Sequence, residues 1–203
     1  MKKTVLFSSF LAVAWCVLLC TSCKDKPNGG NDADSLHTDS LNLPVQVVDS
    51  TVWGRLGEGT GMSVYEFITD DGDTLQLLRT SNEGEDGIVL GDINPEADRF
   101  AVCIGHRGEE GSECIRTLIN TTQLMGVWKA EGRQLTLSVG GDAYSNVSGY
   151  SGWQLVNGKL VLRGTMTTEY GETDRIDTMR ISWLDKDTLK LITPQHEEIA
   201  FGR

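Results

Sequence analysis

Short stretches in which apolar and polar residues alternate one by one recur after about residue 45, and they constrain the fold more than any other feature. Such stretches occupy residues 64–68, 74–78, 135–139, 159–163, 179–183 and 189–191. Successive side chains of a β-strand point to opposite faces of its sheet, so a period of two predicts half-buried strands. Helical periodicity is never sustained; one short turn before Gly126 is the most that we expect. The alternation predicts an all-β fold.

Turn-forming residues separate these stretches. Asp-Gly at Asp71 and Asn-Gly at Asn157 supply the positive φ angles that tight hairpins need. The composition, with 23 glycines and only 4 prolines, suits a chain rich in turns. Strands punctuated at intervals of about 8–12 residues are typical of a β-sandwich or a β-barrel.

The first residues have the pattern of an export signal. Lys2 and Lys3 precede an apolar run over residues 5–19, which is shorter than the roughly 20 residues of a membrane span. A basic head before an apolar core of this length predicts a secretory signal peptide over residues 1–22.

The end of this signal, Leu19-Cys20-Thr21-Ser22-Cys23, resembles a bacterial lipobox. The resemblance implies that Cys23 is diacylated and becomes the first mature residue, and two or more acyl chains hold a protein stably on a bilayer. Cys20 is the weaker candidate because the bulky Leu19 precedes it. An ordinary cleaved signal followed by an incidental cysteine is the alternative. We expect a lipid-anchored protein of the cell envelope, at the outer membrane.

Residues 23–44 are polar and contain little that could be buried, which predicts an acylated, disordered tether. Lys24-Asp25 loosely resembles the surface-export signal of Bacteroidetes lipoproteins, but Lys26 interrupts its acidic part. The leaflet that displays the protein therefore stays open.

The mature chain is strongly acidic. Loss of Lys2 and Lys3 with the signal lowers the 18 basic residues to 16, against 29 acidic residues. Such a chain repels phosphate backbones, which argues against a nucleic-acid partner.

Two cysteines, Cys103 and Cys114, belong to the body of the chain. A hairpin centred between Gly108 and Glu109 would place them opposite each other, which predicts a disulfide that adds about 2–3 kcal/mol of stability. Two unpaired thiols are the alternative. A CxxC redox motif is absent, and further metal ligands are not close in sequence.

Gly126-Val127-Trp128 resembles the Gly-x-Trp signature of lipocalins, in which the tryptophan plugs the closed end of a barrel. Residues 150–162 and 187–191 look like the lipocalin-like domain of Bacteroidetes lipoproteins, and residues 49–62 look like their N-terminal half. The resemblance implies a late arginine packed over the tryptophan, for which Arg203 is the candidate. A plain core tryptophan at a strand start is the alternative interpretation of Trp128.

We therefore expect an N-terminal antiparallel β module over residues 45–120, followed by a small lipocalin-like β-barrel over residues 121–203. The two could share one core. The stretch from Gly126 onward is short for eight long strands around a roomy cavity. A small barrel can be filled by its own side chains and then binds nothing.

Residues with catalytic potential do not form a recognisable pattern. The three histidines, His37, His106 and His196, are scattered, and His196-Glu-Glu is not the His-Glu-x-x-His of a zinc protease. Pairs such as Glu109/Glu110 lie in polar loops, where a carboxylate is not desolvated for acid–base work. We expect no enzyme, no metal and no cofactor.

The sequence thus favours a non-enzymatic binding or accessory lipoprotein. Its ligand would be a small apolar molecule lodged among Trp128, Trp153 and Trp183, or an envelope protein. A structural envelope component that acts only through protein contacts is the alternative, and a wall or glycan hydrolase is a weaker one.

Overall fold

The computed structural model describes residues 48–80, 85–107 and 113–203. The predicted signal peptide, Cys23 and the tether lie outside these ranges. Within them, no helix has the length and apolar character required to cross a membrane.

The described part of the chain is nearly all β-structure, so the predicted fold class is confirmed. The strands are β1 Thr51–Leu56, β2 Val64–Thr69, β3 Thr74–Leu78, β4 Ile88–Leu90, β5 Phe100–Arg107, β6 Glu113–Asn120, β7 Gly126–Ala130, β8 Arg133–Leu137, β9 Ala143–Ser145, β10 Tyr150–Val156, β11 Lys159–Thr168, β12 Gly171–Leu184, β13 Thr188–Ile192 and β14 Glu198–Gly202. One four-residue helix, α1 Thr121–Leu124, precedes β7, and the Asn120 side chain caps it by accepting a hydrogen bond from the Gln123 amide.

The first six strands form a sheet in the order β3-β2-β1-β5-β6-β4. Strand β3 also pairs with β6 in parallel, through Leu77 opposite Glu113 and Leu78 opposite Cys114. Five strands are thereby bent into a small, partly closed barrel. Its own core contains Leu56, Tyr65, Phe67, Leu77, Phe100, Val102, Ile115 and Leu118.

The last eight strands form a second sheet in the order β10-β11-β12-β13-β14-β7-β8-β9. Its two edges meet, because Asp142 bridges Gly152 and the Trp153 amide donates to the Gly141 carbonyl at 2.6 Å. The sheet is therefore a nearly closed eight-stranded barrel. Inward-facing residues of every strand fill most of it, as period-two alternation requires.

The two sheets are joined at the end of the barrel that carries α1. Leu90, Ala101 and Ile119 of the first sheet pack in the same apolar cluster as the barrel interior. The turn between β10 and β11 is also tied to the chain before β1. There Asn157 accepts hydrogen bonds from the Ser50 amide at 3.0 Å and from its hydroxyl at 2.7 Å.

The predicted disulfide is wrong. Strands β5 and β6 pair Cys103 with Thr117 and Ile104 with Ile115, so Cys103 does not face Cys114. The pairs Arg107–Glu113 and Cys103–Thr117 share one register, which lies three residues from that of the predicted hairpin, and the two register shifts beside Ile104 cancel each other between these pairs. Both cysteines are buried free thiols.

Candidate functional site

Trp128 closes one end of the barrel. Its side chain is fully buried, and its indole N–H donates to the Leu124 carbonyl of α1 at 2.8 Å. The Arg203 guanidinium lies over the ring, 4.6 Å from its centroid, and donates to the Gln123 and Met125 carbonyls. Gly126 begins the strand at φ 140°, a conformation that other residues rarely adopt, and this explains the glycine of the Gly-x-Trp motif.

The structure separates the three tryptophans that the sequence grouped as a ligand site. Trp153 is buried and donates to the Ser138 carbonyl at 2.9 Å. Trp183 is 53% exposed and donates to the Asp185 carboxylate at 2.7 Å. The predicted cluster is therefore wrong for Trp183, which lies outside the barrel.

A β-bulge accounts for the position of Trp183. The pairing of β12 with β13 shifts between Ile181 and Trp183. Met179 and Ile181 point inward, but the extra residue reverses the alternation, so that Leu184 is buried instead of Trp183.

A cavity of about 200 Å³ lies at the opposite end of the barrel, where the β7–β8, β9–β10 and β13–β14 connections meet. Its apolar wall is formed by Leu135, Leu162, Met179, Leu191, Ile199 and Phe201. Its polar lining includes Arg133, Gln134, Tyr150, Arg175, Asp177 and Glu197. An apolar cavity with a few convergent polar groups is the usual form of a small-molecule site.

Three of these polar side chains form one cluster. The Tyr150 hydroxyl donates to Oδ2 of Asp177, and Nε of Arg175 donates to the same oxygen at 2.7 Å. The Arg175 guanidinium also lies over the Tyr150 ring, 5.1 Å from its centroid. Pairing compensates for the cost of partly burying the Asp177 carboxylate.

The cluster extends the pH range over which Tyr150 stays protonated. Burial of the phenol, and then its hydrogen bond to the Asp177 carboxylate, raise the pKa of Tyr150 to about 12. The Tyr150 hydroxyl is a hydrogen-bond donor well above neutral pH, and it is engaged with Asp177.

Sequence reasoning missed this cluster because its members meet only through strand register. Tyr150 pairs with Gly164 across β10 and β11, and Asp177 pairs with Leu162 across β11 and β12. Arg175 and Asp177 are two residues apart on one strand, so their shared face could be inferred once β12 was assigned. Nothing in the sequence around Tyr150 indicated that its side chain would meet Arg175 and Asp177.

Side chains that could bind a metal ion are not clustered in the described part of the chain. Among the described residues, no three His, Cys, Asp or Glu side chains are grouped so as to hold a metal ion. His196 is exposed at φ 66° in the β13–β14 turn, and His37 lies outside the described residues.

A second hollow, of about 400 Å³, lies between the two sheets. Trp53 and Met125 line it from one side, and Gly140, Gly141 and Trp153 line it from the other. It lacks a charged pair like that of the barrel cavity; Arg99 is its one charged lining residue among those described. We therefore take the barrel cavity as the candidate site.

Part of the chain is similar to known proteins. A family of lipocalin-like proteins matches residues 136–203. A crystal structure of a lipocalin-like protein from Bacteroides thetaiotaomicron is 28% identical over 39% of this chain and 95% of that one, with a TM-score of 0.35. No curated protein matches. The resemblance to lipocalin-like proteins that the sequence predicted is confirmed for residues 136–203, which are similar to that family.

Proposed function

We propose that this protein is a lipid-anchored protein of the cell envelope that binds a small, largely apolar ligand at the open end of its barrel. The observation that carries the proposal is the cavity of about 200 Å³ with its apolar wall and polar rim. Pockets for drug-sized ligands are usually about 300–1,000 Å³. The ligand should therefore be a compact molecule rather than a long acyl chain.

The anchor and the location in this proposal rest on sequence. The basic head, the apolar core and the lipobox-like ending at Cys23 support export and acylation. An acidic chain on a membrane surface would meet small envelope molecules and proteins, not nucleic acids.

A second candidate function is contact with an envelope protein. It is favoured by the β11–β12 hairpin, where Met166 and Tyr170 near the tip are 46% and 92% exposed. Exposed apolar side chains that lie close together are typical of interaction surfaces.

Native mass spectrometry of the protein released from its own membranes tests the first candidate. The wild type should carry a small mass that is lost on denaturation. Leu162→Trp, which fills the cavity from within β11, should lose that mass. Thr178→Trp, on the outer face of β12, is the matched control and should keep it. A wild-type protein that is always empty, and whose stability no added apolar compound changes, would exclude ligand binding and favour the protein-contact function.

A further inference from the structure

Arg175 is fixed in place by two neighbours. Its Nε is bonded to the Asp177 carboxylate at 2.7 Å, and its guanidinium rests on the Tyr150 ring. An arginine held in one orientation loses less conformational entropy when it binds a further group. The side chain is one-third exposed, so a ligand in the cavity can reach it.

The guanidinium of Arg175 has N–H groups that are not engaged in hydrogen bonds. An arginine carries five N–H groups, and only Nε of Arg175 is engaged. Among the described residues, its two terminal nitrogens have no hydrogen-bond partner. By contrast, Oδ2 of Asp177 already accepts two hydrogen bonds, and the Tyr150 hydroxyl is already donated.

The cluster therefore has unused N–H donors on the two terminal nitrogens of Arg175, against one unused acceptor oxygen, Oδ1 of Asp177. Arg133 adds a second cation to the cavity lining. Glu197 lines the cavity from the β13–β14 turn, and because Arg133 and Glu197 are both exposed, solvent screens their opposite charges alike. A ligand group that complements this arrangement is a planar anion, because the guanidinium fork matches a carboxylate in two parallel bonds.

We propose that the barrel cavity selects compact amphiphiles that carry a carboxylate, with the anionic head on Arg175 and the apolar part against Leu162, Met179 and Phe201. This inference rests on the proposed function and specifies its ligand class. The cavity volume of about 200 Å³ limits the apolar part to a medium chain or a single ring system.

Three probes of the same chain length separate head-group recognition from apolar burial: octanoate, octanol and octylamine. Each is titrated by calorimetry into the full-length protein in phosphatidylcholine nanodiscs, with empty nanodiscs as the blank. Octanoate should bind at least about tenfold more tightly than octanol, since a charge-assisted hydrogen bond is worth about 1.5–3 kcal/mol and 1.4 kcal/mol is tenfold. Octylamine should bind no better than octanol.

Arg175→Gln should lower the affinity for octanoate to that for octanol and leave octanol binding unchanged. Arg180→Gln is the matched control, because Arg180 lies on the same strand with its side chain exposed outside the barrel. That variant removes the same charge and should keep the preference for octanoate.

The outcomes separate the two levels of the proposal. If octanoate and octanol bind equally, if octylamine is preferred, or if Arg175→Gln keeps the preference, the carboxylate inference is wrong while ligand binding stands. If none of the three probes binds the wild type, the proposed function itself fails for this cavity.

Discussion

The Arg203 guanidinium lies 4.6 Å from the centroid of the Trp128 ring and also donates to the Gln123 and Met125 carbonyls. The chain beyond β14 is in this way fastened to both α1 and the start of β7. One residue thus stacks on the plug of the barrel and satisfies carbonyls at the end of a short helix.

Arg203→Ala should destabilise the protein by about 1–3 kcal/mol, because it removes a cation–π contact and two charge-assisted hydrogen bonds. Arg203→Lys keeps the charge but not the planar fork, and should recover only part of the loss. Urea unfolding followed by circular dichroism measures both. Arg133→Ala, which removes an exposed arginine at the other end of the barrel, should change stability by less than about 0.5 kcal/mol. Equal effects of Arg203→Ala and Arg133→Ala would contradict a special role for Arg203.

Trp183 should account for much of the solvent-accessible tryptophan fluorescence. It is 53% exposed, whereas Trp128 is fully buried and Trp153 is 8% exposed. Trp183→Phe should therefore reduce the fraction of emission that iodide quenches, and Trp128→Phe should increase it. If iodide quenches both variants to the same extent, Trp183 does not point outward in solution.

The local pattern was sufficient to predict strands but not their pairing. Alternation over residues 159–163 and 189–191 falls within β11 and β13 as expected. One extra residue near Ser182 was enough to turn Trp183 outward, and a β5–β6 register three residues from the predicted one moved Cys103 away from Cys114. A bulge reverses the facing of every later residue on its strand, and no residue type in these segments marks one.

The candidate site was hidden for a related reason. Gly-x-Trp is a local motif, so Trp128 and its position at a barrel end could be inferred from sequence. The cavity cluster requires Tyr150 and Asp177 to meet across three strands, which depends on the register of two hairpins at once. Such a meeting is a property of the folded sheet and not of either segment.

The two buried thiols give a direct test of the observed register. Alkylation in denaturant without reductant should modify both Cys103 and Cys114, because neither is in a disulfide. In native buffer both should react slowly, since their side chains are 2% and 3% exposed. Mass spectrometry of the two peptides measures each site. A pair of peptides that remains linked after denaturation would show that the predicted bridge forms after all.

Asn157 should hold the segment before β1 on the barrel. Its side chain accepts from the Ser50 amide and hydroxyl and donates to the Val48 carbonyl at 3.1 Å, and its backbone has φ 50°. Asn157→Gly loses the hydrogen bonds but tolerates this φ, whereas Asn157→Ala loses the bonds and adds about 1–2 kcal/mol of backbone strain. Both variants should speed hydrogen exchange at the Ser50 amide, and Asn157→Ala should be the less stable of the two. Unchanged exchange at Ser50 would mean that the contact contributes nothing in solution.

Tyr150 should make the protein lose stability in alkali. Its pKa rises from 10.0 to about 12 on folding, so the folded chain retains a proton that the unfolded chain has lost. The stabilisation from Tyr150 is complete below pH 10 and is lost as the pH rises through about 12. Tyr150→Phe should therefore show a smaller fall in unfolding free energy across this window than the wild type. Tyr170→Phe, at an exposed site, should show the same fall as the wild type.

Asp177→Asn should lower the pKa of Tyr150 only part of the way, because burial is the larger cause and remains. Ultraviolet absorbance titrations, with Tyr150→Phe subtracted, measure that pKa, and a wild-type value near 10 would show that the phenol is neither buried nor bonded to Asp177.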